Sequence, residues 1–272
     1  MFNLTLYPAK VEIIAKPNAT ITQAFEVTNN SDSIISLIPE ILPWLPQGPD
    51  GSVTYDQVPT SASFSFSIVN PNLKLGQSFI LKPQEKKQIV VKLKSSSVSD
   101  GYFTFFLSQN DIQTNSLQNN SYLSGKIGSH LLIATSETEN LTSSFTTTKL
   151  SLNPKLKDIF FTPINLSAQV INTSDHYATH SSPIIITKNN QLIQKIDTYP
   201  TTILAHESRQ IQCFNQTSPV NCQLQPPFWP GLYTVTLNDK STNYFVFPFS
   251  LVITIVFAIL FWLLVRFRLS RR

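Results

Sequence analysis

The sequence predicts an all-β protein in which two tandem β-sandwich domains are followed by a single C-terminal transmembrane α-helix. Short runs of alternating apolar and polar residues recur along most of the chain, separated by clusters of Pro, Asn, Asp and Ser. The same order of strand and turn motifs occurs twice, and an uncharged apolar run then extends from Phe245 to Val265. Alternation with a period of two indicates strands with one buried face.

The alternating runs also predict which side chains enter the core. Successive side chains of a strand point to opposite faces, so every second residue shares a face. The residues predicted to share a buried face are Ile21, Phe25 and Val27; Ile89, Val91 and Leu93; Phe103, Phe105 and Leu107; Leu166, Ala168 and Val170; and Tyr233, Val235 and Leu237. Short strands with turn signals between them are typical of antiparallel sandwiches.

Two pairs of motifs indicate a tandem repeat. A strand that ends in an Asn turn occurs as "FEVTNNSDS" and again as "AQVINTSDH". A glycine just before an aromatic strand occurs as "SDGYFTFFL" and again as "WPGLYTVTL". A tyrosine at this point can bond back to the corner of an immunoglobulin-like sandwich. We therefore predict immunoglobulin-like domains over residues 1–137 and 145–243, joined by a polar linker or crossing strand over residues 138–144.

The segment from Pro43 to Ser63 is the first candidate for a binding surface. It is too irregular for a tight turn, so we expect a long loop or a short inserted hairpin. It carries Trp44 and Tyr55, and exposed aromatic residues on such a loop are candidate binding residues. The alternative is that Trp44 closes the end of the hydrophobic core.

The apolar run from Phe245 to Val265 predicts a membrane span, because about 20 apolar residues in a helix cross a hydrocarbon core of about 30 Å. A basic tail over residues 266–272 follows, and its arginines are Arg266, Arg268, Arg271 and Arg272. Arginines beside a span stay on the cytoplasmic side. We therefore expect a single-pass plasma-membrane protein with its β-domains outside and its C-terminus in the cytoplasm.

The same arginines account for the net charge. The chain has 20 Lys+Arg and 16 Asp+Glu, and 20 − 4 = 16, so the residues before the span are formally neutral. This leaves no basic face of the kind that binds nucleic acid. The first residues, "MFNLTLYPAKVEIIAKP", lack the basic and apolar regions of an export signal. Either the start lies upstream, or a signal was removed, or the orientation is reversed.

Cys213 and Cys222, the two cysteines, enclose the polar, turn-forming stretch "FNQTSPVN". Outside the cytoplasm a disulfide across this loop is the natural interpretation. The alternatives are two buried thiols or part of a metal site. His176 and His180 lie four residues apart, but no third ligand is evident, which favours a solvated loop over zinc.

No catalytic motif is evident, so we predict neither catalytic residues nor a cofactor nor a metal. Only seven glycines are present, too few for a glycine-rich phosphate loop. Several Asn-x-Ser/Thr sequons occur, and we attribute them to an Asn- and Ser-rich composition rather than to glycosylation.

Three segments occur in the order of one known module: "LTLYPAKVEIIAKPNATITQAFEVTNNSDSIISLIPEI", "LKPQEKKQIVVKLKSSSVSDGYFTFFLS" and "GKIGSHLLIAT". This order resembles the WxL-interacting protein family of bacterial surface proteins and, more broadly, exported PapD-like immunoglobulin modules. The likeness covers roughly residues 4–135, and the second domain is only generically immunoglobulin-like. The resemblance implies a first domain that binds peptidoglycan and a second that contacts other surface proteins.

These observations together predict a membrane-anchored, non-catalytic surface protein that binds cell-wall polymer or a partner surface protein. One alternative is an ectodomain subunit of a membrane complex, in which the helix packs against its partners. A second is a chaperone of the PapD type, which would pair an edge strand with its clients.

Overall fold

The computed structural model describes residues 3–55, 63–109, 125–138, 140–158, 163–215, 218–225 and 229–270. The chain divides into two compact units. The first comprises Met1–Gln47 and Gly51–Thr142, and the second comprises Gly48–Asp50 and Ser143–Arg272. Each unit contains a hydrophobic core of its own.

The first unit is built from short and medium strands. They are β1 (Leu4–Tyr7), β2 (Lys10–Ala15), β3 (Thr20–Asn29), β4 (Ile35–Pro43), β5 (Leu45–Pro46), β6 (Val53–Thr54), β7 (Phe64–Ile68), β8 (Phe79–Leu81), β9 (Lys86–Ser95), β10 (Gly101–Gln109) and β11 (Lys126–Thr135). One sheet has the order β1-β3-β9-β7, and the other has the order β2-β11-β10-β4-β8. Strands β5 and β6 form a small separate hairpin.

The core of the first unit lies between these two sheets and follows the predicted faces. Phe25 and Phe105, both fully buried, stack with ring centroids 4.7 Å apart. The other predicted residues are buried, except for Ile21, which is partly buried against the same cluster. Burying a large apolar side chain contributes roughly 1.5–3 kcal/mol. The period-two pattern of the sequence is thus what assembles this sandwich.

The second unit contains the remaining strands and the helix. They are β12 (Phe145–Asn153), β13 (Leu156–Asp158), β14 (Ile164–Asn172), β15 (Ala178–His180), β16 (Ile184–Lys188), β17 (Gln191–Ile196), β18 (Thr201–Ile203), β19 (Ser208–Gln210), β20 (Cys213–Asn215), β21 (Ser218–Val220), β22 (Gln223–Leu224), β23 (Gly231–Leu237), β24 (Lys240–Phe247) and α1 (Phe249–Ser270). One sheet has the order β12-β14-β19, with β22 also paired to β14. The other has the order β13-β24-β23-β16-β17.

Both units begin with a strand that changes sheet at a proline. In the first unit β1 pairs antiparallel with β3, and after the cis Tyr7–Pro8 bond β2 pairs parallel with β11. In the second unit β12 pairs antiparallel with β14, and after the cis Asn153–Pro154 bond β13 pairs parallel with β24. This shared topology makes both units immunoglobulin-like β-sandwiches and confirms the predicted fold class.

A glycine opens the late aromatic strand of each unit, as the motif pairs predicted. A Cβ atom at Gly101 would lie 2.5 Å from the ring of Phe64, so only glycine fits there. Gly231 has a φ of +147°, which L side chains rarely adopt. The hydroxyl of Tyr233 donates to the carbonyl of Trp229 at 2.7 Å, which is the predicted bond back to the corner.

The end of the second unit differs from the prediction. The predicted second domain ended at residue 243 and the predicted span began at Phe245, whereas β24 continues to Phe247 and α1 begins at Phe249. Phe245 pairs with both Leu232 and Leu156. This pairing keeps in β24 residues that their apolar composition alone would assign to the helix. The helix also continues past Arg266 to Ser270, into the predicted tail.

Candidate functional site

Helix α1 is long and apolar enough to cross a membrane. The candidate span runs from Phe249 to Arg266 with a mean hydropathy of 2.5, and none of it is buried against the β-domains. Its side chains are apolar all round, unlike the striped helices of soluble domains. The structure thus supports the predicted anchor.

Asp158 joins this helix to the second sandwich. The main-chain N–H of Ser250 donates to the Asp158 carboxylate at 2.5 Å, and the Ser250 hydroxyl donates to it at 3.1 Å. The first N–H groups of a helix have no partner within the helix, and a carboxylate there is also favoured by the helix dipole. Asp158 belongs to β13, directly opposite Phe247 on β24. The cap therefore comes from a strand that is far away in sequence.

The predicted orienting arginines lie at the far end of α1. The Arg266 guanidinium lies 5.3 Å from the centroid of the Trp262 ring, a distance at which cation and ring attract each other. Arg268 lies within the helix, while Arg271 and Arg272 fall outside the described residues. No membrane accompanies the structure, so the orientation of the helix stays a prediction.

Trp44 and Tyr55 do not form the exposed aromatic surface that the sequence suggested. Trp44 is only 5 % exposed, with its ring 5.4 Å from the rings of both Tyr102 and His130. The Tyr55 hydroxyl lies 3.0 Å from Thr104 Oγ1, which in turn lies 2.9 Å from Nδ1 of His130. Desolvation lowers the pKa of His130 in this setting.

These contacts explain what the segment from Pro43 to Ser63 does, although residues 56–62 of it lie outside the described part of the chain. Trp44 and Tyr55 flank the β5–β6 hairpin and press it onto the outer face of the sheet that contains β10 and β11. Of the two forms expected, a long loop or a short inserted hairpin, the described part of the segment contains the hairpin. Its aromatic residues cover the sheet instead of facing a ligand, because each finds an aromatic or hydroxyl partner on that face.

Cys213 and Cys222 form the predicted disulfide, with an S–S distance of 2.04 Å. Between them β20 and β21 make a short hairpin. Two main-chain hydrogen bonds hold the base of this loop to β14. The N–H of Leu166 donates to the carbonyl of Cys222 at 2.9 Å, and the N–H of Ile211 donates to the carbonyl of Ala168 at 2.9 Å. The chain leaves the sheet after β19 and returns to it at β22. The disulfide links the two ends of the loop formed in between.

A groove of about 500 Å³ lies beside the disulfide loop, on the outer face of the β12–β14–β22 sheet. Register places one row of amides across three strands, with Asn153 opposite Asn165 and Asn165 opposite Gln223. A second row holds Ser151 opposite Ser167. The loop base adds Gln210 and Asn221, and Leu166 and Ile211 border the groove although their side chains are buried in the core.

The chemistry of this groove is neutral and rich in hydrogen-bonding groups. Among the residues described as lining it, none carries a charge. An amide offers two N–H donors and one carbonyl acceptor, while a hydroxyl can donate or accept. Such a surface can match the many hydroxyl and amide groups of a neutral polymer, and sequence inspection missed it because its amides come from separate strands.

His176 lies in a bend and is partly exposed, but His180 belongs to β15, which corrects the prediction of a solvated loop for this residue. His180 is fully buried, in edge contact with the Phe145 ring at 5.1 Å, and its Nε2 lies 3.2 Å from the Asn238 amide nitrogen. Burial lowers the pKa of His180, an effect that the bond to Asn238 opposes. In the described part of the chain no group of three or more His, Cys, Asp and Glu side chains is placed to hold a metal.

Comparisons with known proteins bear on the fold. No family model matches the chain, and no curated protein matches it. The class 5 fimbriae chaperone CfaA is similar in structure, with 12 % identity over 90 % of this chain and 100 % of that chain, at a TM-score of 0.45. The E. coli chaperone DraB has 12 % identity over 90 % of this chain and 97 % of its own, at a TM-score of 0.41.

A PapD-like domain of human CEP192 matches 49 % of this chain and 85 % of its own, with 12 % identity and a TM-score of 0.31. At such identities the likeness concerns the PapD-like, immunoglobulin-like architecture alone. Membership of the WxL-interacting family therefore remains a prediction from the sequence.

Proposed function

We propose that this chain is a single-pass membrane protein whose two immunoglobulin-like sandwiches lie outside the cytoplasm and bind a ligand without catalysis. One observation carries the proposal: an apolar helix long enough to cross a membrane follows β24 after a single residue and is capped by Asp158 of the same sandwich. The arginines at the distal end favour a cytoplasmic C-terminus. The second sandwich then lies directly on the extracytoplasmic surface of the plasma membrane.

The neutral amide groove is the proposed ligand site. Its two polar rows present three amide groups and two hydroxyls on strands, which hold them at fixed spacings. The loop base adds two more amides, and the disulfide lies beside them. Neutral hydroxyl- and amide-bearing polymers fit this chemistry better than charged ligands, which would find no counter-charge among the lining residues. Together with the sequence resemblance to wall-facing proteins, this makes the glycan of peptidoglycan the proposed ligand.

A sacculus-binding experiment tests this assignment. The full chain in lipid nanodiscs should co-sediment with purified cell-wall sacculi. The double substitution Asn165→Ala with Gln223→Ala should weaken retention at least about tenfold, since each lost pair of hydrogen bonds to a ligand costs about 1 kcal/mol or more. The matched control is Asn243→Ala with Thr236→Ala, on the outer face of the other sheet of the same unit. Equal retention of both variants would reject the groove, and no retention of the parent chain would reject wall binding.

A second candidate function is binding of a partner protein by strand addition. Strand β17 is an edge of its sheet, and Leu192 and Ile193 are 63 % and 46 % exposed. An edge strand offers unpaired main-chain groups to an added strand. This feature suits an accessory subunit of a membrane complex or a PapD-type chaperone. A stoichiometric partner that co-purifies with the full chain, and is lost on Ile193→Pro, would favour this function over wall binding.

A further inference from the structure

One apolar row interrupts a polar face of the second sandwich. Leu156 of β13 pairs with Phe245 of β24, which pairs with Leu232 of β23. All three side chains are on the outer face, with exposed fractions of 56 %, 38 % and 56 %. The next rows on the same face of β23 and β24 are polar, with Thr234 opposite Asn243 and Thr236 opposite Ser241. Away from the helix, the apolar character therefore ends with this row, while Phe247 continues it towards the helix.

On β24 and β13, only the pair of Phe247 and Asp158 lies between this row and the helix. Phe245 precedes Phe247 by two strand residues, a rise of about 7 Å, and α1 begins two residues later at Phe249. The three rings form a series, with centroids 6.2 Å apart for Phe245 and Phe247 and 4.8 Å apart for Phe247 and Phe249. The interfacial layer of a bilayer is about 5–8 Å thick on each side of the hydrocarbon core. The ring series spans at most about 11 Å, so the row lies near the outer boundary of this layer when the span begins at Phe249.

Trp229 extends this apolar edge. Its side chain is 71 % exposed, although its carbonyl accepts the bond from Tyr233 that holds the corner in place. It precedes Gly231, which lies opposite Val246 at the membrane end of β24. An exposed tryptophan at this level is typical of the aromatic belts found at membrane surfaces.

The junction between sandwich and helix keeps the row at a constant depth. Asp158 caps α1 through Ser250 and lies directly opposite Phe247, so two adjacent strands hold the start of the helix. Pro248 is the one residue between β24 and α1, and its carbonyl accepts from Val252 N–H at 3.1 Å. A link this short and bonded leaves little freedom for the sandwich to lift away from the bilayer.

We propose that Leu156, Leu232, Phe245 and Trp229 form a membrane-docking edge, which inserts into the interfacial layer of the bilayer that α1 spans. The occupant of this edge is lipid, because only the pair of Phe247 and Asp158 separates the row from the span, and the face becomes polar in the opposite direction. The inference rests on the proposed function in one respect, namely that α1 crosses a membrane. It adds that the second sandwich itself is a lipid-binding module, seated on the membrane at a fixed height.

Spin labelling of the full chain in nanodiscs tests this edge. Single substitutions Phe245→Cys, Leu232→Cys and Leu156→Cys would each carry a nitroxide, with Thr236→Cys on the same face as the matched control and Leu260→Cys as a reporter of the span. The native disulfide keeps Cys213 and Cys222 from reacting. Labels in the row should collide several-fold more with oxygen, relative to a water-soluble nickel chelate, than the label at position 236.

The possible outcomes separate the two proposals. If the label at position 260 is buried in lipid while the row is as open to the nickel chelate as position 236, the docking edge is rejected and the span stands. If position 260 is itself open to the chelate, the proposed function fails. A row that is shielded from both oxygen and nickel would be covered by protein, which also rejects lipid as its occupant.

Tryptophan fluorescence gives a second measurement that does not alter the row. Lipids brominated near the headgroup end of their chains should quench Trp229, and the difference between the parent chain and Trp229→Phe isolates its signal from those of Trp44 and Trp262. Equal fractional quenching in the two proteins would contradict insertion of the edge.

Discussion

Asn29 and Asn172 end equivalent strands of the two sandwiches with the same set of hydrogen bonds. Asn29 Nδ2 donates to the carbonyls of Ser33 and Lys82 at 2.8 and 2.9 Å, and its Oδ1 accepts from Ser31 N–H at 3.0 Å. Asn172 Nδ2 donates to the carbonyls of His176 and Ile203 at 2.7 and 3.0 Å, and its Oδ1 accepts from Ser174 N–H at 3.0 Å. Both side chains are fully buried.

The first prediction concerns this buried amide. Asn172→Ala should lower the free energy of unfolding of the second unit by about 1–3 kcal/mol, because the buried carbonyl of Ile203 and the partly buried carbonyl of His176 both lose their donor. Chemical denaturation in nanodiscs measures the change. The control is Asn243→Ala at an exposed position, where we expect a change within about 0.5 kcal/mol. Equal effects of the two substitutions would show that the Asn172 bonds contribute little.

The disulfide carries the second prediction. Replacing both Cys213 and Cys222 by serine should destabilise the second unit, because the disulfide restricts the unfolded chain. The expected loss is only about 2–3 kcal/mol, since the closed loop is short. It should also weaken sacculus binding, because the loop base forms one wall of the groove. Denaturation and co-sedimentation of the same variant measure the two effects. Unchanged binding by a destabilised but folded variant would separate the disulfide from the ligand site.

The third prediction is a dependence of stability on pH. The pKa of His180 is lowered below its ordinary value of 6.5 by burial, so the unfolded chain binds a proton more readily than the folded one. Stability is therefore fully present above about pH 6.5 and decreases as the pH falls towards the folded pKa, by at most about 1.4 kcal/mol per pH unit. Burial also lowers the pKa of His130, so the first unit should likewise lose stability as the pH falls below about 6.5.

Denaturation of the second unit at pH 7.5 and pH 5.5 checks this dependence. His180→Gln should reduce the difference between the two pH values. His206→Gln is the matched control, because His206 is an exposed histidine of the same unit. A parent chain that is as stable at pH 5.5 as at pH 7.5 would contradict the prediction.

The fourth prediction tests the cap of the helix. Asp158→Ala removes the carboxylate that accepts from Ser250, so the first turn of α1 should fray, at a cost of about 0.5–2 kcal/mol. Hydrogen exchange of the amides near Ser250 should become faster, while exchange in the middle of the span stays unchanged. Asp158→Asn keeps an acceptor oxygen and should show a smaller effect. Equal exchange in all three proteins would mean that the cap does not order the junction.

The fifth prediction concerns orientation. Replacing Arg266, Arg268, Arg271 and Arg272 by alanine should produce a mixture of two topologies, because the arginines are the charges that favour a cytoplasmic end. Protease protection of the β-domains in sealed vesicles measures the fraction in each orientation. Substituting Lys86 and Lys87, which lie in the first sandwich, serves as the control and should leave the orientation unchanged.

Local patterns in the sequence predicted the layout of the cores well. Phe25, Ile89, Phe105, Leu166 and Val235 are buried where the alternation places them, because the face of a strand residue depends only on its position along that strand. The Asn turns and the corner bond of Tyr233 were also visible, since each is made by residues that lie close together in the chain. The same locality made the pairing of Cys213 with Cys222 predictable.

Features built from distant residues were not predictable in this way. Trp44 and Tyr55 appeared exposed until the fold supplied Tyr102, His130 and Thr104 as their partners. The apolar run seemed to begin the helix at Phe245, but pairing with Leu156 and Leu232 keeps that residue in a strand.

The sequence by itself determined the all-β class, the repeat, the disulfide and the presence of an apolar span, because each depends on residue type and short-range period. Only the tertiary structure decided the amide groove, the cap of α1 and the apolar row beside it. Asp158 and Ser250 are 92 positions apart, and the groove joins residues of three strands. Such sites arise from sheet register, because register determines which distant side chains become neighbours. No local sequence pattern contains that information.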